Sequence, residues 1–395
     1  MTLDRRFFLK SIGVLGLAAS TQKVSAHTAS LREEGFAFTT PPYLQNYTAN
    51  YVTVCTVFNI PCLAWIEILN TDGSIKKMLY QVEDGMRNAN ATFFKFQVPH
   101  EGKDISYRIR AKEITRFDPY KIEYGASIQS DTFKTAFPLI TKDSEAHVLI
   151  LNDIHENTKS YKLLYDQSTL PKKDLVILNG DSFHYTTKPQ DLTSKLLKPV
   201  ADVFASQTPF IMVRGNHETR GAFARHFKTF FDYPQNKFYQ AFSLGSTFWI
   251  ILDGGEDKPD THEVYANTTD YDSYRLEQQE WLSHVLQSNE RKKAKRTVVV
   301  THIPFFHSDD WHGTLHNRAC FHDLLQKHKV SAVISGHTHK FGFYPPDKDH
   351  NYHVIIGGGP KEGQRTLIEV TSSSKKFNLI LRKENGEVVN SFDVA

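Results

Sequence analysis

The 395 residues are 40% hydrophobic and 23% charged, with a formal net charge of +3. That is core material for roughly two domains of about 100–200 residues each, and the near balance of charge predicts no nucleic-acid or membrane-surface partner, which would call for a clustered basic face. Three cysteines are too few for a disulfide framework, although Cys55 and Cys62 fall on neighbouring predicted strands and could face each other.

The chain begins with "LDRRFFLKSIGVLGLAASTQKVSA", in which Arg5 and Arg6 precede an apolar run over residues 12–19. That run is far short of the roughly 20 residues a spanning helix needs. Val24-Ser25-Ala26 offers small residues at the spacing of a cleavage site. Residues 1–26 resemble a twin-arginine export signal. The resemblance implies handling by the twin-arginine machinery, a periplasmic or extracellular location, and a mature chain starting near His27. No cysteine near the site offers a lipid anchor.

Residues 36–137 read as short strands with period-two alternation, at 51–58, 63–69, 92–98, 105–114 and 131–137. Turn signals at 59–61, 72–73 and 100–102 separate them, which predicts a β-sandwich of the fibronectin or immunoglobulin kind. No cluster of His, Asp or Glu there carries chemistry. Residues 137–146, "FPLITKDSEA", form a polar boundary.

From 146 to 395 the pattern changes. Wholly apolar runs at 148–151, 175–178, 210–213, 248–252, 298–300, 332–334 and 352–356 alternate with helical stretches such as 273–287 and 319–328. Such strands argue for a layered α/β domain with buried sheets. The basic run at 291–296 reads as a solvated loop, and residues 377–381 and 388–394 read as a hairpin around Asn385-Gly386.

Five of these strands end in polar residues: Asn152-Asp153-Ile154-His155, Asn179-Gly180-Asp181, Arg214-Gly215-Asn216-His217-Glu218, Thr301-His302, and Gly336-His337-Thr338-His339. In layered α/β folds ligand sites gather outside the carboxyl ends of strands. Carboxylate, amide and imidazole donors without thiolates suit Mn, Fe or Zn. Seven candidates are too many for one tetrahedral ion and about right for two ions sharing a carboxylate. Two ions roughly 3.5–4 Å apart can stabilise both attacking and leaving oxygens of a phosphoryl displacement.

In this order, the set resembles the signature of calcineurin-like metallophosphoesterases over residues 147–360, and the leading sandwich is similar to the purple-acid-phosphatase branch. The resemblance implies an α/β/β/α catalytic domain and two divalent or mixed-valence ions. It places Asp153, His155 and His339 on one ion, Asn216, His302 and His337 on the other, and Asp181 between them. It puts His217 beside the substrate, to steady phosphoryl oxygens or protonate the leaving oxygen, with a metal-held hydroxide as nucleophile. No Gly-x-Ser-x-Gly elbow offers an alternative nucleophile.

Two departures qualify the likeness. Tyrosinate-ligating relatives place a tyrosine three residues after the bridging aspartate; here that position is His184, and Tyr185 falls one residue late. A purple colour is therefore not expected. Many members also carry an acid just after that aspartate to orient the histidine of the Asn-His pair, and residues 182–185 supply none; Glu218 is a substitute or a plain loop carboxylate. Arg214 and Arg220 could meet a phosphate, Arg214 equally an ion-pair partner. The loop 253–262 could shape the entrance, and Trp311 could stack on an apolar leaving group. His312 beside it could line the pocket, while His307, His316, His322 and His328 read as loop or surface residues. The reading is an exported dimetal phosphoesterase. Its rivals are a non-catalytic surface-binding protein with a vestigial metal site, and the same chemistry on sulfate or phosphonate esters.

Overall fold

The computed structural model describes residues 35–100, 102–136, 140–141 and 143–394. The segment at 1–26, expected to be an export signal, lies outside the described residues. No helix among them is long and apolar enough to cross a membrane.

The two strands expected at 51–58 and 63–69 are one 19-residue strand, Tyr51–Leu69. Its first part pairs with Phe38–Gln45 and Ala89–Pro99, its second with Ile75–Leu79 and Ile105–Asp118. The pairing register shifts between Val57 and Cys62. Pro61, which has no N–H to give a ladder, sits in that shift, so it marks an irregularity in one strand instead of a turn between two. Cys55 and Cys62 consequently lie on the same strand, both buried and unpaired. The strand Lys121–Gln129 was not predicted. It is exposed at eight of nine positions and carries no burial period to read. Together these strands make a seven-stranded antiparallel sheet with its core on Val52, Val54, Phe94, Phe96 and Ile109.

Residues from 146 onward build two six-stranded sheets. In the first, Ala146–Leu151, Leu175–Asn179 and Phe210–Val213 are parallel, and Thr366–Ser372, Phe377–Lys383 and Val388–Val394 extend it antiparallel. In the second, Thr247–Ile251, Arg296–Val300, Ala332–Ser335 and His353–Ile356 run parallel, with antiparallel Gln240–Leu244 and Gly342–Tyr344 at its edges. Val148, Ile150 and Ile177 of one sheet pack against Val298, Val300 and Ile334 of the other. The outer faces carry helical residues: Tyr161, Leu196 and Val200 on the first, Leu282, Phe321 and Leu325 on the second. Strands buried on both faces lose their alternation, which is why they read as continuous apolar runs. The layers are α/β/β/α.

The helix expected at 273–287 spans Tyr271–Val285, and the one expected at 319–328 begins at His312 and ends at Lys327. His312, His316 and His322 therefore lie on a helix, not in loops. The early start escaped notice because residues 312–318 are mostly polar and without an apolar stripe. The basic run at 291–296 is not wholly loop: Asn289–Lys293 is helical and Arg296 opens a strand.

The N-terminal sheet joins the first of these sheets and the helical layer over it through buried hydrogen bonds. Tyr43 donates to the Phe230 carbonyl at 2.7 Å, Gln45 to that of Phe210 at 2.8 Å, and Tyr107 to that of Ser206 at 2.8 Å. Tyr43, Cys55 and Val57 belong to the same apolar cluster as Phe210 and Phe230. Tyr43→Phe keeps the ring and strands a buried carbonyl, so urea unfolding should show a loss of about 1–3 kcal/mol; an unchanged midpoint would remove this contact from the interface.

Candidate metal centre

The polar residues at the five strand ends converge. Asp153, His155, Asp181, His337 and His339 all have positive φ, at 52°, 44°, 54°, 71° and 56°. For non-glycine residues this is a costly conformation, of the kind that clusters at functional sites. The loops are stitched by main-chain bonds: the amides of Asp153, His155 and Glu156 donate to the carbonyls of Gly180, Asp181 and Ser182. Glycine spacing is equally constrained. A Cβ on Gly180 would collide with the His302 imidazole, and one on Gly215 with the Asp181 carboxylate.

Two groups of donor atoms form around Asp181, each within 4.8 Å of one another: Asp153, His155, Asp181 and His339; and Asp181, His302 and His337; a further group joins His155 to His184 and His217. Asp181 is common to both. Its Oδ2 lies 3.1 Å from His302 Nε2 and 3.6 Å from His155 Nε2. His155 Nε2 and His339 Nε2 are 2.9 Å apart. The Asn216 amide lies 3.1 Å from His337 Nδ1. All seven expected ligands are thus brought together, and all but His339 and His337 are fully buried.

The residues fit metal ions. Asp153 Oδ1 is buried without a hydrogen-bond partner, and faces His339 Nε2 at 3.3 Å and His155 Nε2 at 3.7 Å. A buried orphan acceptor is costly in itself and is what a cation would satisfy. Outer contacts orient the donors, as metal sites require: His302 Nδ1 donates to the Asn179 carbonyl at 2.8 Å, and Asn152 donates to both Asp153 Oδ2 and the Gly358 carbonyl.

Without ions, protons hold the charges apart. Burial works against ionisation of Asp181, yet His302 brings its carboxyl down to about 2. Burial likewise opposes the charge on His302, yet Asp181 holds it up at about 10. The neighbouring imidazoles of His155 and His339 outweigh burial and keep Asp153 well below the carboxylate range.

Glu218 resolves the open question about its role. Its Oε2 accepts from the amides of Asp181 and Gly215, each at 2.8 Å, and its Oε1 from the amide of Ser182 at 2.7 Å. It is fully buried and ties the Asp181 loop to the Asn216 loop. Burial and the Asp181 charge push its carboxyl up to about 7.

His217 lies at the edge. Its Nδ1 donates to the His184 carbonyl at 2.9 Å, and its Nε2 is 3.9 Å from Asp181 Oδ2. Burial, with Arg220 adding to it, lowers its affinity for a proton. Arg220 Nη1 stands 3.2 Å from His217 Nε2, while Glu256 clamps the same guanidinium at 2.8 and 3.0 Å. Arg220 is thus pinned beside the centre. Arg214 is the structural partner instead: it pairs with Asp253 at 2.6 Å and lies over Phe238. Trp311, half exposed, shares a pocket of about 440 Å³ with His337. His312 does not line it, being bound to Asp272 at 2.9 Å. Tyr185 is 56% exposed and joins neither donor group. His184 comes within 3.3 Å of His155 Nδ1. Glu256 was not singled out in the sequence; its only signal was an acid in a polar loop after a strand.

With the geometry in hand, comparison with known proteins is informative. Residues 146–341 match the family Calcineurin-like phosphoesterase. This part of the chain is therefore a calcineurin-like metallophosphoesterase domain, and the protein is a phosphoester hydrolase of that metal-dependent kind. It is 23% identical over 327 residues to purple acid phosphatase 5 of Arabidopsis thaliana, covering 76% of each chain. A serine/threonine-protein phosphatase CPPED1 of Rattus norvegicus is 24% identical over 178 residues, 43% of this chain and 54% of that one. Among solved structures, the purple acid phosphatase PPD1 from yellow lupin seeds aligns over 90% of this chain and 74% of its own, with a TM-score of 0.66 and 15% identity. That likeness establishes a shared two-domain fold.

Two outcomes follow. Glu218→Gln leaves one amide facing an NH2 group, so it should cost about 1–3 kcal/mol of stability and about 10–100-fold in metal affinity, read by denaturation and by metal titration; wild-type values for both would refute the cross-tie. The folded value of about 10 for His302 lies above its ordinary 6.5, so in metal-free protein its charged pair with Asp181 stabilises fully below about 6.5 and is lost as pH rises through about 10. A metal must displace that proton. Calorimetry in buffers of different ionisation enthalpy should show proton release at pH 7–8, with affinity rising about tenfold per pH unit for one proton; release of none would contradict the pairing.

Proposed function

We propose that the protein is exported and hydrolyses phosphate esters at a centre holding two metal ions, with Asp181 shared between them. The observation that carries this reading is that two donor groups have Asp181 in common. Asp153, His155 and His339 would hold one ion; Asn216, His302 and His337 the other. When bound, such ions polarise phosphoryl oxygens and lower the pKa of water from about 15.7 towards about 7. Mn, Fe and Zn all suit the donor set.

The remaining steps belong to the chain itself. His217 Nε2 faces the cleft while its Nδ1 proton is committed to the His184 carbonyl. In its protonated form it can give the Nε2 proton to a leaving oxygen. Arg220, fixed by Glu256, adds a positive charge beside that nitrogen and can receive a phosphoryl oxygen. Trp311 offers an apolar face for the leaving group. Export is supported by Arg5, Arg6 and the short apolar run that follows, and implies handling by the twin-arginine machinery. The N-terminal sheet we read as an immunoglobulin-like sandwich, because its longest strand changes partners midway.

Asp181→Asn should lose at least about 100-fold in kcat on aryl and alkyl phosphates alike, with fewer bound ions; full activity would end the shared-carboxylate reading. An ion-loaded protein inert towards phosphomonoesters and diesters but active on sulfate or phosphonate esters would redirect the substrate class, and one inert towards all would favour a binding protein. Because His217 holds its proton less firmly than an ordinary histidine, turnover of alkyl phosphates, which need an acid, should fall as pH rises from the acid side through that lowered value. Nitrophenyl phosphate should fall less, and His217→Ala should erase the difference. The iron-loaded protein should also lack a visible tyrosinate band, since His184 holds the tyrosine position.

A further inference from the structure

A separate cluster of nitrogen and carboxylate donors lies outside this centre. His307, on the loop after the strand Arg296–Val300, places its Nε2 3.0 Å from Nε2 of His350. Asp347 Oδ2 is 3.7 Å from the same His350 nitrogen. One donor atom from each of the three residues lies within 4.8 Å of the others. Tetrahedral bonds of about 2.0–2.1 Å put neighbouring donors about 3.3 Å apart, between those two separations.

Each side chain is set up for ligation. His350 is fully buried, and its Nδ1 donates to the Tyr352 carbonyl at 2.8 Å. That bond fixes the tautomer and leaves Nε2 as a lone pair aimed at His307, the usual posture of a metal-binding imidazole. The His307 ring stacks on Tyr344 with centroids 3.7 Å apart, which fixes its direction. Asp347 uses Oδ1 for the amides of Asp349 and His350, leaving Oδ2 on the side of the cluster.

We propose that His307, Asp347 and His350 bind a divalent transition ion such as zinc, at a mononuclear site distinct from the catalytic centre. Three protein donors leave a further position for water or for an anionic group. His307 lines the same pocket of about 440 Å³ as His337 and Trp311. The ion therefore ties the loop 301–311 to the turn 345–350 at the rim of the cleft. The site does not depend on the hydrolytic reading, since it shares no residue with the catalytic ligands.

Paired titrations of the untagged full chain with Co²⁺ and Zn²⁺ test this. The wild type should bind one more ion than His307→Ala, and Asp181→Asn one more than Asp181→Asn/His307→Ala, with the lost site showing cobalt d–d absorption of low symmetry. Asp347→Asn keeps the oxygen that caps the two amides, so it should fold normally and weaken that one site by more than about tenfold. Equal stoichiometry and affinity within both pairs would overturn the proposal and reduce the contact to an imidazole–imidazole hydrogen bond. Hydrolysis by the wild type is read separately, so failure of either reading is recognised on its own.

Discussion

The centre depends on one buried carboxylate that touches no substrate. Glu218 collects the amides of Asp181, Ser182 and Gly215, and these belong to loops from two different strands. Each loop alone would be poorly determined, because Asp181 sits at positive φ and Gly215 has no side chain to anchor it. Amide donors buried without acceptors would cost about 1–3 kcal/mol each. A single carboxyl group in their midst accepts from all three and turns that cost into a constraint on where Asp181 and Asn216 stand. Positioning at this precision is what separates a working two-ion site from a loose one.

The charge pattern around Asp181 follows from that constraint. Three imidazoles, those of His155, His217 and His302, approach its carboxylate within 4 Å. In the metal-free protein only some of them can carry a proton, since each positive charge disfavours the next. His302 takes it, being closest at 3.1 Å; His337, whose neighbour His302 is then charged, is held below the usual histidine range first by burial and then by that charge. One protonated imidazole, that of His302, thus sits against the shared carboxylate of Asp181, and a cation taking its place must displace that proton.

Much of this was legible in the sequence, for physical reasons that differ by element. Strands such as 148–151 and 298–300 announce themselves because burial on two faces leaves no room for polar residues, and their ends do so because the residues that follow must face solvent or a ligand. The strand ends supplied the candidate polar residues, and the choice of seven among them came from the resemblance of their order to a known family. The helix start at His312 could not, since its first two turns carry His312, His316 and Asn317 towards Asp272 and Gly254 and show no apolar stripe. The strand Lys121–Gln129 was hidden because an exposed edge has no burial period. Arg220 and Arg214 looked alike in sequence; only the partners Glu256 and Asp253, distant in the chain, separate a cleft residue from a scaffold one.

The stretch after Asp181 shows how little sequence displacement matters to fold and how much to chemistry. His184 and Tyr185 occupy one short loop, yet His184 contributes its ring to His155 and its carbonyl to His217, whereas Tyr185 points outward. A tyrosine at 184 could have reached the centre through the same backbone. Tyr185, one residue later, is 56% exposed and joins none of the donor groups. The carbonyl of residue 184 still orients His217 whatever side chain it carries. The hydrogen bond that orients His217 is therefore independent of the side chain at 184, and the imidazole keeps its direction whatever residue stands beside His155.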